Sequence, residues 1–397
     1  MSPASGISFD ARPEFDLLVR LLSPQGGEER ARELLGNGLD WERLAVLAGH
    51  HKVLPHVYVA LGGRLRELVP AEALRRLEEE VGANARRNLM LSGRLLKLLA
   101  LLAAAGVEAV PFKGPLLAVS AYGDSSMRQF VDLDLLVRPA DVPRAREVLV
   151  AEGFAPQFSL SDGQESKLVR YRNEHAFWHE GDEVAVDLHW TLSPRWLHSN
   201  GERDVVWSRL NSIAVAGRKV LTLSRNDLLL FLCVHGSKHC WSQLGMAYDL
   251  ATLLRAAEPD WPALFREARR QGSTRMLLLG LHMASTLFGV ELPAEAVKLI
   301  AADPKLHRLA REACAKLRRD PDEPWGFFEE SLFNLKVIER ARMKALYYLD
   351  MLATPTPLEW ELVRLPDRLF FLYYLVRPLR LALKHGREHL MGRGPTT

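Results

Sequence analysis

The 397-residue chain contains little cysteine: Cys233, Cys240 and Cys314 are the whole complement. Three thiols over that length cannot build the disulfide framework of a small secreted domain. Long apolar runs are also missing. The two longest, Leu98–Val107 and Leu369–Val376, fall short of the ~18 residues that read as a membrane span. Met1–Pro13 carries Asp10 and no apolar run, so no secretory leader is expected. These absences point to a cytoplasmic protein with no membrane association. Charge of one sign is lacking too: Lys+Arg 52 against Asp+Glu 49 leaves a net charge of +3. A dedicated nucleic-acid binder shows a larger basic surplus or a concentrated basic stripe. Hydrophobic residues at 48% and charged residues at 25% are ordinary for a globular chain. At ~100–200 residues per domain the length allows two or three domains.

Three regions differ in periodicity. Residues 14 to about 106 read as helices. Leu17, Leu18, Leu21 and Leu22 share a helical face, and Asp40 is placed to cap Trp41–Ala48. Pro70 opens a long helix, Ala71–Leu102, that Gly106 ends. From Val107 the period shortens. Val107–Phe112 is an apolar run into Lys113-Gly114-Pro115, Leu116–Tyr122 is helical, and Phe130–Val137 is the clearest strand. Asp141–Glu152 reads as a helix closed by Gly153. Ala176–His179 and Glu183–Trp190 flank a turn as a β-hairpin, and a second hairpin is expected around Gly217. Beyond Asn226 the pattern is helical again. The expected class is α+β: a small mixed β-sheet core over residues 107–224, with helical regions at 1–106 and 225–397.

Three carboxylates stand out. In the strand FVDLDLLV, residues two apart project from one face, so Asp132 and Asp134 lie side by side while Val131, Leu133 and Leu135 face the other way. Adjacent anions repel unless a cation sits between them. Mg²⁺ suits such a site, because it takes oxygen ligands and keeps substrate phosphates in its shell. In VAVDLHW the apolar face is Val184, Val186 and Leu188, leaving Asp187 and His189 opposite. If the two strands are neighbours, Asp187 completes a three-carboxylate cluster able to hold two ions. Lys113-Gly114 ends a strand and starts a helix, the form of a phosphate contact. Arg128 lies within reach of the same anion.

FKGPLLAVSAYGDSSMRQFVDLDLLVRP followed by VDLHW resembles the uncharacterised nucleotidyltransferase-like family of the DNA polymerase beta superfamily. The likeness extends to WERLAVLAGHHKVLPHVYVAL, HGSKHCWSQLGMAYDLATLL and RLFFLYYLVRPLRL, and so to nearly the whole chain. It implies a polymerase-beta-like core that moves an NMP group from an NTP such as ATP to a hydroxyl, with Mg²⁺ (or Mn²⁺) as cofactor and pyrophosphate as product. Asp132 and Asp134 would bind metal, and Asp187 would join them and help activate the acceptor hydroxyl. Read from the residues themselves, Lys113, Gly114, Arg128 and Lys238 are the expected nucleotide-binding groups, with His189, His239 and Asp249 supporting the site. A small-molecule, peptide or protein acceptor fits the mixed charge better than RNA, and the sequence does not set the oligomeric state.

Plainer readings stand beside these. A D-x-D strand also fits a solvated sheet edge, Lys113 fits a surface turn, and His189 fits a structural histidine. Asp249 is expected to orient His239 or Lys238, or to cap a packing network. Cys233, His235, His239 and Cys240 suggest zinc, but their helical spacing does not bring them to one ion. The aromatic run from Leu369 to Tyr374 is expected to pack on the protein rather than on a membrane. Alternatives to transfer are a non-catalytic nucleotide-binding module and a metal-dependent phosphohydrolase.

Overall fold

A computed structural model describes residues 12–23, 27–197, 202–323, 325–363 and 365–391. Most of the N-terminal stretch read as lacking a leader lies outside them. No helix among the described residues is long and apolar enough to cross a membrane.

The architecture is α+β, with a small mixed sheet set among helices. N-terminal helices, among them Trp41–His50 and Leu54–Gly62, precede a 34-residue helix, Ala71–Ala104. Asp40 caps Trp41–His50 by accepting from the Arg43 amide at 2.9 Å. The long helix stops at Gly106, whose φ of +73° suits a residue without Cβ. The chain then lays down β1 (Val110–Pro111), the helix Gly114–Tyr122, β2 (Asp132–Leu136) and the helix Val142–Ala151. After β3 (Ala155–Pro156) and the helix Asp162–Tyr171 come β4 (Glu174–His179) and β5 (Val184–His189).

The sheet order is β1-β2-β5-β4-β3. β2 and β5 are parallel and the other pairs antiparallel. Leu133, Leu135, Val186 and Leu188 are buried on one face with Leu91, Leu95 and Leu98 of the long helix. The opposite face is left to the polar residues. A separate hairpin, β6 (Asn211–Val215) and β7 (Arg218–Thr222), turns at Ala216 and Gly217 with φ of 47° and 76°. Both expected hairpins therefore form.

The helices before and directly after the sheet region share one core. Leu17, Leu18, Leu44 and Val57 from the N-terminal side are buried in the same cluster as Leu229, Leu250, Leu277 and Phe288. The helices Arg225–Lys238 and Leu244–Ala256 consequently lie over the polar face of the sheet, closing the cleft described below. From the aromatic run, Phe370 and Tyr373 are buried in the sheet's core, whereas Leu369 and Phe371 remain exposed.

Candidate functional site

The strand register assembles the cleft. Asp134 pairs with Asp187 across the parallel β2–β5 ladder, and Glu174 pairs with His189 across β4–β5. Paired residues project from the same face of a sheet, so Asp132, Asp134, Asp187, His189 and Glu174 share the face opposite the leucine core. Asp134 is the centre. Its side chain is fully buried, Lys113 Nζ lies 2.7 Å from Oδ1, and His189 Nε2 lies 3.2 Å from the same oxygen. His189 Nδ1 is 3.1 Å from Glu174 Oε2 without forming a hydrogen bond, so the ring lies between two carboxylates and is bonded to Asp134. Lys238 Nζ stands 3.7 Å from Glu174 Oε1.

Lys113 reaches this position because of the glycine after it. Gly114 has φ +51°, and a Cβ there would lie 3.2 Å from the carbonyl oxygen of Asp132. The turn is thus pressed against β2, with the ammonium over Asp134. Gly114 itself lines no cavity of the cleft; its contribution is the tight turn.

Electrostatics separates the two central carboxylates. Burial alone would raise the Asp134 pKa, but Lys113 and then His189 outweigh it and hold it down to about 2. Asp187 has no such cation. Burial, reinforced by the charge of Asp134, pushes it up to about 6. Burial also opposes charge on Lys113, yet Asp134 and Asp132 raise its pKa. His239 is lowered to about 4, first by burial and then by Lys238. His235 is lowered well below its ordinary range by burial and by Lys113, so both are neutral near pH 7.

Two connected cavities open above these groups. The first, about 290 Å³, is lined by Asp132, Asp134, Asp187, His189, Glu174 and Lys238 among others. The second, about 240 Å³, shares Lys113, Asp132, His235 and Met246 with the first and adds Lys52, Arg128 and Asp249. Three cations, Lys52, Lys113 and Arg128, therefore face one space beside the carboxylates.

Arg128 is held by Asp249, Nε to Oδ2 at 2.9 Å, and the Tyr122 hydroxyl donates to Asp249 Oδ1 at 2.7 Å. From the sequence, Asp249 is expected to orient His239 or Lys238, or to cap a packing network. It orients Arg128 instead, because the helix Leu244–Ala256 brings it against the helix Gly114–Tyr122 and the residues after it. Lys238, at the end of the helix Arg225–Lys238, stands beside Glu174 and lines the first cavity. Truncating Asp249 leaves a nearly buried guanidinium without its carboxylate. Asp249→Ala should cost about 3 kcal/mol, read as a lowered urea midpoint; a loss under about 1 kcal/mol would mean that Arg128 finds another partner.

Two contributors were not picked out from the sequence. Glu174 meets His189 only through the β4–β5 register. Lys52 arrives from the N-terminal helices, with φ 59° and no ion-pair partner among the described residues. Its turn docks on the helix Leu244–Ala256: the Gly245 amide donates to His51 O at 2.8 Å, and Gln243 Nε2 donates to His50 O at 2.9 Å. A Cβ at Gly245 would lie 2.9 Å from that His51 oxygen, so glycine permits the approach. The HHK signal lay within a segment tied to the family likeness, but nothing local marked its lysine.

A metal fits the donor set. Ligand atoms of Asp134, Asp187 and His189 lie within 4.8 Å of one another. Asp134 Oδ2 is buried with no hydrogen-bond partner, an anionic oxygen that protein groups leave unmet. Among the described residues this is the one such group found. The tight group contains His189 in place of Asp132. Asp132 sits two residues earlier on β2, opposite Ala185, about 6.6 Å along the strand from Asp134.

The model of a family described as uncharacterised nucleotidyltransferase matches residues 37–289. The chain belongs to this family. The matched span holds every residue of the two cavities, Lys52 to Asp249. A solved structure similar in part is an antigenic nucleotidyltransferase-like protein from Paracoccidioides brasiliensis, with 14% identity, TM-score 0.31, and coverage of 57% of this chain and 92% of that one. No curated protein matches the chain.

Proposed function

We propose that the protein transfers an NMP group from a Mg²⁺- or Mn²⁺-complexed NTP to a hydroxyl of an acceptor, releasing pyrophosphate. The observation that carries this reading is the side-by-side placement of Asp134 and Asp187 next to a cavity bearing three cations. The core at residues 107–224 supplies the carboxylates, and helices from both ends supply Lys52 and Lys238. Asp134 and Asp187 would hold the metal with His189, and Asp132 would extend the site toward the nucleotide. Bound there, a divalent ion would neutralise phosphate charge and stabilise the leaving pyrophosphate.

The remaining roles belong to protein groups. Lys52, Lys113 and Arg128 bind triphosphate oxygens in the second cavity, Lys113 exchanging its bond to Asp134 for one to phosphate. Asp249 and Tyr122 hold the guanidinium in place. Glu174 places its charge beside the other ring nitrogen of His189. Asp187 accepts the hydroxyl proton as the acceptor oxygen bonds to the α-phosphorus. The bond from that phosphorus to the bridging oxygen breaks, and its electron pair leaves with pyrophosphate. Catalysis is then positioning plus charge neutralisation.

The test incubates the full chain with Mg²⁺, each α-labelled NTP and an extract from its own producer. The expected result is one labelled acceptor formed together with an equal amount of pyrophosphate. Release of inorganic phosphate with water as the acceptor would replace transfer by hydrolysis, and nucleotide binding without turnover would leave a binding module.

A further inference from the structure

A third cavity, about 620 Å³, opens from the Asp187 side of the cleft and shares Glu174, Asp187 and Lys238 with the first. Its volume is that of a site for a small molecule of several hundred daltons. Trp196, Tyr347 and Phe158 supply aromatic surface. The charged groups are divided between two regions. Asp187 and Glu174, with Lys238 beside Glu174, lie where the cavity meets the candidate metal group, while Arg377 and Arg380 come from the helix Tyr373–Met391.

The basic region is undercompensated. Arg377 and Arg380 share one carboxylate, Glu359, with Arg377 Nη1 at 3.2 Å from Oε1. Glu359 is fully buried and already accepts from the Thr356 amide at 2.7 Å and hydroxyl at 2.6 Å. Arg172, just after the helix Asp162–Tyr171, faces the same cavity and has no ion-pair partner among the described residues. It is close enough for its charge to act against that of Arg377. Asp350 is the other acid lining this wall. Arg172, Arg377 and Arg380 against Glu359 and Asp350 leave one positive charge in surplus. Like charges gathered this way repel, and a guanidinium fork without a carboxylate is a receptor for a planar or tetrahedral oxyanion.

We propose that this cavity is the acceptor subsite, and that the acceptor carries, apart from its reacting hydroxyl, a carboxylate or phosphate monoester bound by Arg172 beside Arg377. The assignment of the hydroxyl to the Asp187 end rests on the nucleotidyl-transfer reading; recognition of the anion does not. The guanidiniums of Arg172, Arg377 and Arg380 attract the anionic group to their end, which sets which way round the acceptor enters.

Glycerol, glycerate and glycerol 3-phosphate form a matched probe series with hydroxyls and, in turn, no anion, a carboxylate and a phosphate. Binding of each to the full chain without nucleotide is measured by ligand-observed NMR. At least one anionic probe should bind about tenfold or more tightly than glycerol, and which one does so identifies the group. Arg172→Gln, which breaks no ion pair among the described residues, should bring that preference to within twofold. Arg172→Lys should retain part of it. Equal binding of all three probes by the wild type, or a preference that survives in Arg172→Gln, overturns the assignment. Pyrophosphate release from NTP, measured on the same preparation, reports separately on the transfer reaction.

Discussion

Asp134→Ala should lose nucleotidyl transfer by about 10³-fold or more and, separately, unfold at a lower urea concentration. The activity loss follows from its central position, since both neighbouring carboxylates and His189 are arranged around it. The stability loss has a different origin. Lys113 is nearly buried and its closest anion is Asp134, 2.7 Å away. Removing the carboxylate strands an ammonium in a low-dielectric site, which costs about 3 kcal/mol. Replacing both partners with apolar residues of similar volume, Lys113→Met with Asp134→Leu, removes the stranded charge. The double variant should recover to within about 1 kcal/mol of the wild type while remaining inactive. If it were as unstable as Asp134→Ala, the pair would not be the source of the loss. If Asp134→Ala retained transfer, the carboxylate cluster would not be the catalytic centre.

Much of the cleft was legible in the sequence because it depends on strand alternation. The patterns FVDLDLLV and VAVDLHW each specify an apolar face, and burying both faces on the same helix puts Asp134 and Asp187 on the same opposite face. Their direct pairing needed only that the strands be neighbours. What was not legible depends on packing between distant segments. Lys52 enters the second cavity because the N-terminal helices share a core with those that follow the sheet region, and no periodicity tells which amphipathic helices will pack together. Asp249 has a helical position that fits His239 or Lys238 as well as Arg128; only the approach of its helix to Tyr122 decides. Glu174 opens a strand whose register against β5 is fixed by the turn after His179, so its contact with His189 became visible only with the hairpin closed. From the sequence, His189 is expected to be a supporting residue, whereas its ring lies among the atoms that could hold a metal.

The other large effect expected is on pH dependence, and it distinguishes Asp187 from Asp134. Asp187 titrates near 6 in the metal-free protein, because burial and the negative charge of Asp134 oppose its ionisation. A carboxyl raised in the folded state binds its proton more tightly there than in the unfolded chain. Its contribution therefore favours folding at low pH and is lost as pH rises from ~4 to about 6. Asp134, held down to about 2, acts in the opposite sense: its contribution is complete above ~4 and is lost as pH falls toward 2. A divalent cation needs Asp187 ionised, so binding must displace that proton below pH 6. Apparent Mg²⁺ affinity, followed by the rise in Tm as metal is added, should accordingly fall about tenfold per pH unit below 6 and level off above it. Asp187→Asn should remove this pH dependence and weaken the Mg²⁺ effect on Tm at pH 7.5. The same substitution should lower transfer by about 10²–10⁴-fold, since the acceptor hydroxyl loses its base. A wild-type Mg²⁺ effect that stays constant between pH 5 and pH 7.5 would place the metal on groups that do not titrate there, and Asp187 would then serve as the base without being a ligand.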